Sequence, residues 1–423
     1  MRFRFRLLFL ALGIPSAVAL AAPGGWITTW SRGPSLPYSD PTQLNSAHLV
    51  FSNQTLRNIV HTSVGGGTVR VRLSNVYGAS AVEIGAAHIA LETSASSIDP
   101  TSDRTLTFSG RPDVTIPPDA ILLSDPIAFN VPASGNLAIS LFIPNTNNGA
   151  GIHYLGVQTS YLGAGDQTSA ATLRTPTSIS FWAFLTGVDV MSSDPAAATV
   201  VTLGDSITDG ANSTTGANHR WPDFLANRLL AAGIDLGVAN SGISGNRILH
   251  DALLSITAGV NAVDRFGRDV LEQPGAEYLI ILLGINDIGQ PGTTSAPITD
   301  SVSAADVIWG LQQMADRAHE MGLQVFGCTL TPFAVATSAD YYSTDKDATR
   351  QAVNAWIRSG VAFDAVIDFD LAVRDPNNPL SYLPAYDSGD HLHPNDAGYQ
   401  AMANAIDLTL FQSVPQSTAA AIR

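Results

Sequence analysis

Two different hydrophobic patterns divide the chain. In its first part, apolar and polar residues alternate in short runs that are separated by Gly, Pro, Asn and Ser. In GTVRVRLSN, for example, Val69, Val71 and Leu73 share one face, and NLAISLFIP repeats this alternation. A period of two is typical of antiparallel strands with one solvated face. The pattern predicts an all-β domain over residues 26–191, with a sandwich or jelly-roll-like architecture.

Further along the chain, short apolar runs alternate with helical patterns. RWPDFLANRLLAAG and SAADVIWGLQQMADRAHEMG carry apolar residues at three- and four-residue spacing, and Gly322 is a stop signal for the second helix. This alternation indicates a parallel sheet covered by helices, so we predict an α/β domain over residues 197–412. The apolar runs predict strands at Thr199–Leu203, Leu236–Ala239, Tyr278–Leu283, Leu323–Cys328 and Ala365–Phe369.

The two ends of the chain differ from both predicted domains. MRFRFR, the apolar LLFLALGIPSAVAL and a small-x-small site at Ala19–Ala21 have the features of a secretory signal peptide. We therefore expect a signal peptide at residues 1–21 and an extracellular protein. An uncleaved membrane anchor is the alternative, although Pro15 interrupts a short apolar stretch. Residues 413–423 are expected to form a flexible tail.

Composition excludes several kinds of partner. The 423 residues include 21 Lys and Arg and 36 Asp and Glu, and the formal charge of −15 disfavours nucleic acid and anionic lipid. Cys328 is the only cysteine, so no intrachain disulfide can form, and its apolar neighbours predict a buried thiol. Asn53 and Asn212 begin glycosylation sequons. We expect no nucleic-acid partner, no stable membrane insertion after signal cleavage and no cofactor, and we assume a monomer.

Candidate catalytic residues follow the predicted strands, at the edge where parallel sheets carry their functional loops. Ser206, Gly245 and Asn286 follow the first three strands, at steps of about 40 residues that suit one βαβ unit each. A later loop contains Asp390 and His393. Acyl transfer needs a hydroxyl nucleophile, a base, a carboxylate that orients the base, and oxyanion donors. We assign these roles to Ser206, His393 and Asp390 in turn, with the oxyanion donors at the Ser206 backbone, Gly245 and Asn286.

Each of these residues alone has a simpler interpretation, as a turn, a helix cap or a solvated side chain. Their joint order at predicted strand ends is what favours catalysis. Asp390, His391 and His393 also suggest a metal site, although a complete set of ligands is not apparent. Asp287 is expected to brace its loop, and Arg247 is expected either to be solvated or to contact substrate.

Four short blocks, GDSITDG, ISGN, GIND and DHLH, occur in this order and resemble those of the SGNH, or GDSL-type, esterase and lipase family. The resemblance extends from Thr199 to Gln412 and implies a flavodoxin-like three-layer αβα fold with metal-free ester hydrolysis through an acyl-enzyme. The longer sequence that contains GDSITDG, RWPDFLANRL and GNRIL also resembles secreted members that carry an N-terminal β-domain. The blocks place the family's nucleophile, oxyanion and remaining triad positions at Ser206, Gly245, Asn286, Asp390 and His393.

We therefore predict a secreted serine esterase that cleaves short-chain acyl esters, acetyl esters in particular, on small molecules or polysaccharides. The first alternative is a lipase or lysophospholipase that acts on longer acyl chains. The second is a carbohydrate-binding protein with an inactive hydrolase domain, and the third is a metal-dependent deacetylase.

Overall fold

Two regions with separate hydrophobic cores are joined in the computed structural model, which describes residues 25–35, 49–147, 151–252, 254 and 256–412. The predicted signal peptide at 1–21 and the predicted tail at 413–423 lie outside the described residues. We call the first part, up to the strand that ends at Met191, the β-rich region. The second part, from the strand that begins at Ala198, is the α/β region.

Antiparallel strands make up the β-rich region. In chain order they are β1 (Trp26–Ser31), β2 (Gln54–His61), β3 (Gly66–Ser74), β4 (Val82–Ile84), β5 (Ala86–Ser94), β6 (Ser97–Ile98), β7 (Arg104–Thr105), β8 (Val114–Ile116), β9 (Ile121–Leu123), β10 (Ile127–Val131), β11 (Asn136–Ile143), β12 (Ile152–His153), β13 (Ser160–Ala164), β14 (Thr177–Ile179), β15 (Trp182–Ala183) and β16 (Leu185–Met191).

Two large sheets pack around one core in this region. One sheet has the order β1-β16-β3-β10 with β9 on β3, and the other has the order β14-β13-β2-β11-β5-β6 with β7 on β5. Two short pairs, β12–β15 and β4–β8, complete the region. Val69 and Val71 of the first sheet and Leu137 and Ile139 of the second belong to the same buried cluster, as in a sandwich. The predicted antiparallel β architecture is confirmed.

The interface between the regions is polar and buries residues that the alternation pattern assigns to solvent. The Arg72 side chain of β3 is buried, pairs with Asp189 at 3.3 Å and donates to Gln273 Oε1 of the α/β region at 2.7 Å. The Thr28 backbone N–H donates to Thr199 Oγ1 across the same interface at 2.9 Å. The prediction of one solvated face is therefore wrong for Arg72, because the α/β region covers that face.

The α/β region is built on a parallel sheet. Its strands are β17 (Ala198–Gly204), β18 (Leu236–Gly242), β19 (Ala276–Leu282), β20 (Gln324–Cys328) and β21 (Ala365–Ile367), followed by the antiparallel pair β22 (Arg374–Asp375) and β23 (Asn378–Tyr382). The helices are α1 (Ser206–Asp209), α2 (Trp221–Ala231), α3 (Ala262–Phe266), α4 (Ile285–Gly289), α5 (Ala304–Glu320), α6 (Thr344–Ser359), α7 (Phe369–Val373) and α8 (Asp396–Asn404). A π turn at Gly267–Leu271 and 3₁₀ turns at Ile256–Ala258, Ile298–Asp300 and Leu408–Phe411 complete the list.

The order of the parallel strands is β18-β17-β19-β20-β21, which is the flavodoxin-like order. All five predicted strands are present, and both helical patterns form helices, α2 and α5. Cys328 is buried as predicted, and burial raises the pKa of its thiol. The chain leaves β17 toward β18 on one side and later returns to β19 on the other. The loop after β17 therefore lies at a topological switch point, where open α/β sheets bind their ligands.

No helix in the described ranges is both long enough and apolar enough to cross a bilayer.

Candidate active site

Ser206 is the first residue of α1 and lies two residues after the end of β17. The Asp205 carboxylate accepts a hydrogen bond from the Ile207 N–H at 3.0 Å and so caps this single helical turn. Gly210, with φ +100°, ends the turn. The Ser206 backbone N–H has no intrahelical partner, because the first N–H groups of a helix have none. A hydroxyl and a backbone donor therefore lie together at the carboxyl edge of the sheet.

The structure brings Ser206, His393 and Asp390 together. His393 Nε2 lies 2.7 Å from Ser206 Oγ, and His393 Nδ1 lies 2.6 Å from Asp390 Oδ2. Because an ionised carboxylate can only accept, Nδ1 carries the proton and donates it to Asp390. Nε2 is then free to accept from the Ser206 hydroxyl. The sequence prediction selected these three residues in these three positions.

Asp390 accepts hydrogen bonds on both of its oxygens. The backbone N–H groups of Leu392 and His393 donate at 3.0 and 2.8 Å, Ser388 Oγ at 3.0 Å and Asn212 Nδ2 at 2.8 Å. Burial favours the protonated carboxyl, but the hydrogen bonds and the charge of His393, with the Leu392 N–H, lower the pKa of Asp390 well below its ordinary range. The carboxylate therefore stays charged and holds the imidazole in one orientation.

Gly245 and Asn286 come from neighbouring loops and are joined by a third residue. Gly245 has φ +81°, a backbone conformation that glycine adopts without a steric penalty. Gln290 Nε2 donates to the Gly245 carbonyl at 2.8 Å and to Asn286 Oδ1 at 3.0 Å. Asn286 Nδ2 donates to the Asn246 carbonyl at 3.1 Å. The loops after β18 and β19 are therefore held against each other.

The orientation of the Asn286 amide is fixed by its partners. Its oxygen accepts from the Tyr341 hydroxyl at 2.8 Å as well as from Gln290, so its nitrogen must point the other way. One hydrogen of that nitrogen is used by Asn246, and the other has no acceptor within the described part of the chain. The Gly245 and Ser206 N–H groups likewise lack an acceptor among the described residues. Three donors at the same sheet edge are thus available to an anion.

Asp287 braces the neighbouring loop after β18 rather than its own loop, and Arg247 does not have either of its expected roles. Asp287 accepts from the Ile248 N–H at 2.8 Å and the Leu249 N–H at 3.1 Å. Burial raises the pKa of Asp287 to about 6, although these N–H groups lower it. Arg247 is buried and pairs with Asp300 at 2.9 Å. It is therefore neither solvated nor placed to contact substrate, because its guanidinium is used inside the protein.

The side chains of Asp390, His391 and His393 do not converge on a common metal position. His391 Nδ1 is bonded to Asp387 Oδ2 at 2.5 Å, while both nitrogens of His393 face Asp390 and Ser206. Across the described ranges, no group of three or more His, Cys, Asp or Glu side chains could hold a metal ion.

Sequence reasoning missed the residues that support this site, namely Asn212, Gln290, Tyr341 and Ser388. Gln290 lies four residues after Asn286, about one helical turn, so its spacing was a signal that could have identified it. Tyr341 lies on a loop far along the chain, and no periodicity links it to Asn286. Asn212 was noted only as the start of a sequon, yet both its Nδ2 contacts, to Ser388 and Asp390, lie at this site.

A hydroxyl–imidazole–carboxylate arrangement at the switch point of a flavodoxin-like sheet is typical of hydrolases that use a serine nucleophile. Residues 202–401 match the model of the GDSL-like lipase/acylhydrolase family, so this part of the chain is a domain of that family. It is accordingly a carboxylic ester hydrolase, and the resemblance seen in the four sequence blocks is confirmed.

Two solved structures illustrate the similarity. A GDSL-like lipase from Bacteroides thetaiotaomicron is 19% identical, with 51% of this chain and 87% of that chain covered and a TM-score of 0.37. An acetyl xylan esterase from Geobacillus stearothermophilus is 19% identical, with 51% of this chain and 94% of that chain covered and a TM-score of 0.38. A search of curated proteins found no match.

Proposed function

We propose that this protein is a secreted serine esterase that removes short acyl groups, acetyl in particular, from small-molecule or polysaccharide esters. One observation carries the proposal, namely the continuous hydrogen-bonded chain from Ser206 Oγ through His393 to Asp390, with distances of 2.7 and 2.6 Å. Secretion rests on the predicted signal peptide at residues 1–21. N-terminal sequencing of the protein from a culture supernatant tests it, and Ala22 is the expected first residue.

In the proposed reaction, Ser206 Oγ attacks the acyl carbon while His393 Nε2 takes its proton. The Asp390 carboxylate stabilises the imidazolium that forms. His393 then gives the proton to the departing alkoxide, and an acyl-enzyme remains on Ser206. A water molecule attacks this ester with His393 again as the base, which releases the acid and restores the hydroxyl.

The negative charge of each tetrahedral intermediate needs donors that are already in place. The Asn286 amide is held by Tyr341 and Gln290, and the Gly245 N–H lies in the loop that Gln290 also contacts. A donor fixed in this way needs no reorganisation during the reaction, and losing one such donor typically lowers kcat by about 10²- to 10³-fold. We assign the oxyanion hole to the N–H groups of Ser206 and Gly245 and the Asn286 amide.

The polar residues that hydrogen-bond around the triad favour a short acyl group over a long one. The side chains bonded to Asp390 and to the Gly245 loop are polar, namely Asn212, Ser388 and Gln290. A long acyl chain is bound most favourably by apolar side chains. The formal charge of −15 also disfavours attachment to an anionic lipid surface, which a phospholipase must reach.

Replacing the proposed nucleophile is the direct test. Ser206→Ala should lower kcat for p-nitrophenyl acetate by about 10⁴- to 10⁶-fold, because removing one member of a triad removes nearly all of its contribution. The variant should also lose labelling by a fluorophosphonate probe, while its circular dichroism spectrum and thermal midpoint stay close to those of the wild type. Wild-type kcat in a folded Ser206→Ala protein would rule out this mechanism.

The substrate class is tested by a series of p-nitrophenyl esters from acetate to palmitate, together with acetylated xylan and pectin. The proposal predicts the highest kcat/KM for acetate and release of acetate from at least one polysaccharide. A maximum at the long esters would instead indicate a lipase. Glycan binding without fluorophosphonate labelling would indicate a binding protein, and loss of activity in EDTA would indicate a metal-dependent deacetylase.

A further inference from the structure

A buried histidine of the β-rich region reaches the turn that carries Ser206. His153 Nε2 lies 2.9 Å from Asp209 Oδ1 and 3.1 Å from the Leu155 carbonyl oxygen. His153 Nδ1 lies 2.9 Å from the Gly33 carbonyl oxygen. Both ring nitrogens thus face oxygens that only accept. The doubly protonated imidazolium is the form that donates to all of them, and it forms an ion pair with Asp209.

Asp209 connects this histidine to the proposed oxyanion loop. Asp209 ends α1, three residues after Ser206, and its second oxygen, Oδ2, accepts from the Ser244 N–H at 3.0 Å and from Ser244 Oγ at 3.1 Å. Ser244 directly precedes Gly245. One carboxylate therefore bonds to a histidine of the β-rich region and to the loop that presents the Gly245 N–H.

The position of Asp209 is set by its surroundings. Its side chain and that of His153 are 1% and 2% exposed, so water cannot replace either partner. Burial works against the charged form, but the charge and hydrogen bond of His153, with the charges of Arg32 and Arg220, lower the pKa of Asp209. A Cβ on Gly242 would lie 2.4 Å from the Asp209 backbone nitrogen, so only glycine fits at the end of β18.

We propose that His153 is a positioning residue for ester hydrolysis. Through Asp209 and Ser244 it fixes the loop that presents the Gly245 N–H, so the β-rich region completes the oxyanion hole of the α/β region. This inference rests on the proposed function and assigns a further residue to the same site. It also gives the β-rich region a role in the chemical step, in addition to any role in binding substrate.

The test compares the full-length wild type with His153→Phe and His153→Gln, using p-nitrophenyl acetate. Phenylalanine fills similar space without an N–H, so the Ser244 loop should lose its fixed anchor. We expect kcat to fall about 10- to 100-fold with KM changed less than about threefold, because a small displacement of a donor is costly only in the transition state. Glutamine can place an amide N–H near the Nε2 position, so His153→Gln should recover most of the lost kcat.

A boronic acid inhibitor separates positioning from a general loss of stability. It forms a tetrahedral adduct with a serine nucleophile, and one adduct oxygen occupies the oxyanion hole. The Ki of this inhibitor should rise in His153→Phe by the factor by which kcat falls. Gln273→Ala is the matched control, because it removes another buried bond of the interface, the 2.7 Å contact with Arg72. It should lower the thermal midpoint and leave kcat and Ki unchanged.

An equal kcat and Ki for wild type and a cooperatively folded His153→Phe would overturn the inference. If His153→Phe does not fold, Asp209→Ala provides the measurement, since it removes the buried charge together with the bonds to Ser244. It should show the same fall in kcat, and wild-type kcat in Asp209→Ala would equally overturn the inference. A wild-type protein that neither hydrolyses p-nitrophenyl acetate nor reacts with a fluorophosphonate would overturn the proposed function itself, and this inference with it.

Discussion

Two Asp–His pairs contact the turn that begins at Ser206, and they differ in what each imidazole faces. His393 has a carboxylate on Nδ1 and the Ser206 hydroxyl on Nε2. His153 has a backbone carbonyl on Nδ1 and the Asp209 carboxylate on Nε2. A hydroxyl can give its proton to an imidazole, whereas a carbonyl and a carboxylate only accept. The same two residue types therefore form a pair suited to proton transfer in one place and a fixed ion pair in the other.

The two pairs also differ in how deeply their side chains are buried. The side chains of His393 and Asp390 are 15% and 30% exposed, whereas those of His153 and Asp209 are 2% and 1% exposed. A base that serves a substrate must be reachable from solvent, and a positioning pair need not be. Breaking a fully buried pair by removing one partner typically costs about 3–5 kcal/mol of folding free energy. Two pairs of the same residue types therefore have different roles, proton transfer in one and positioning in the other. The following substitutions separate these roles.

The largest difference in kcat between the two pairs is expected when each aspartate is replaced by its isosteric amide. Asp390→Asn should lower kcat about 10⁴-fold, because the amide no longer holds the imidazole in the tautomer that accepts the Ser206 proton. Asp209→Asn should lower kcat less than about tenfold, because its amide oxygen can still accept from Ser244 and a neutral His153 can accept from its nitrogen. Steady-state kinetics with p-nitrophenyl acetate measure both.

The folded state of the variant provides the control for this comparison. Asp390→Asn loses a charge that the surrounding donors stabilise, so its thermal midpoint should fall, but the variant should remain cooperatively folded at the assay temperature. Its low kcat could then not be attributed to unfolding. Similar losses of kcat in both amide variants would contradict the division into one proton-transfer pair and one positioning pair.

Smaller losses of kcat are expected for substitutions at the proposed oxyanion hole. Asn286→Ala should lower kcat about 10²- to 10³-fold through loss of an oxyanion donor. Tyr341→Phe should lower it only about 3- to 10-fold, because the Asn286 amide keeps its bond to Gln290 and loses one neutral hydrogen bond. Since neither change touches His393, the shape of the plot of kcat against pH should stay that of the wild type. A shifted pH profile in Asn286→Ala would show that the two sides of the site are not separable.

The sequence was informative about one of these pairs and not about the other. Asp390 and His393 are three residues apart in one loop, and Ser206 lies just beyond the end of a strand, so spacing and strand ends were enough to select them. His153 lies in a two-residue strand of the other region, 56 residues from Asp209. Such a contact arises only from the packing of two separately folded cores, which no local pattern records.

Arg72 shows that local sequence patterns are limited in the same way when they are used to predict the fold. Alternation along β3 identifies the residues that share a face with Arg72, and the strand formed as predicted. Alternation cannot tell whether that face meets water or another region, because the pattern is local and the covering surface is distant in sequence. A buried arginine and a solvated arginine therefore look alike until the interface with Gln273 is known.

Asp205 adds a third case, because no imidazole in the described part of the chain is hydrogen-bonded to this buried carboxyl. Burial raises its pKa to about 7, although the Ile207 N–H and the charge of His393 lower it. In the unfolded chain an aspartate has a pKa of about 4. The folded protein therefore holds a proton that the unfolded chain has lost. The stability that this proton contributes is fully present below about pH 4 and is lost as the pH rises toward 7.

Asp205→Asn cannot ionise, and its amide oxygen can still accept from the Ile207 N–H. Its free energy of unfolding relative to the wild type should therefore increase by about 2–4 kcal/mol between pH 4.5 and pH 8, because only the wild type loses stability in this range. Urea denaturation at the two pH values measures the change. The paired carboxylates Asp390 and Asp209 have lowered pKa values, so they should not change the free energy of unfolding between these two pH values. Parallel stability curves for wild type and Asp205→Asn would mean that Asp205 is already charged in the folded protein, and that burial without a cation does not distinguish it from the two pairs.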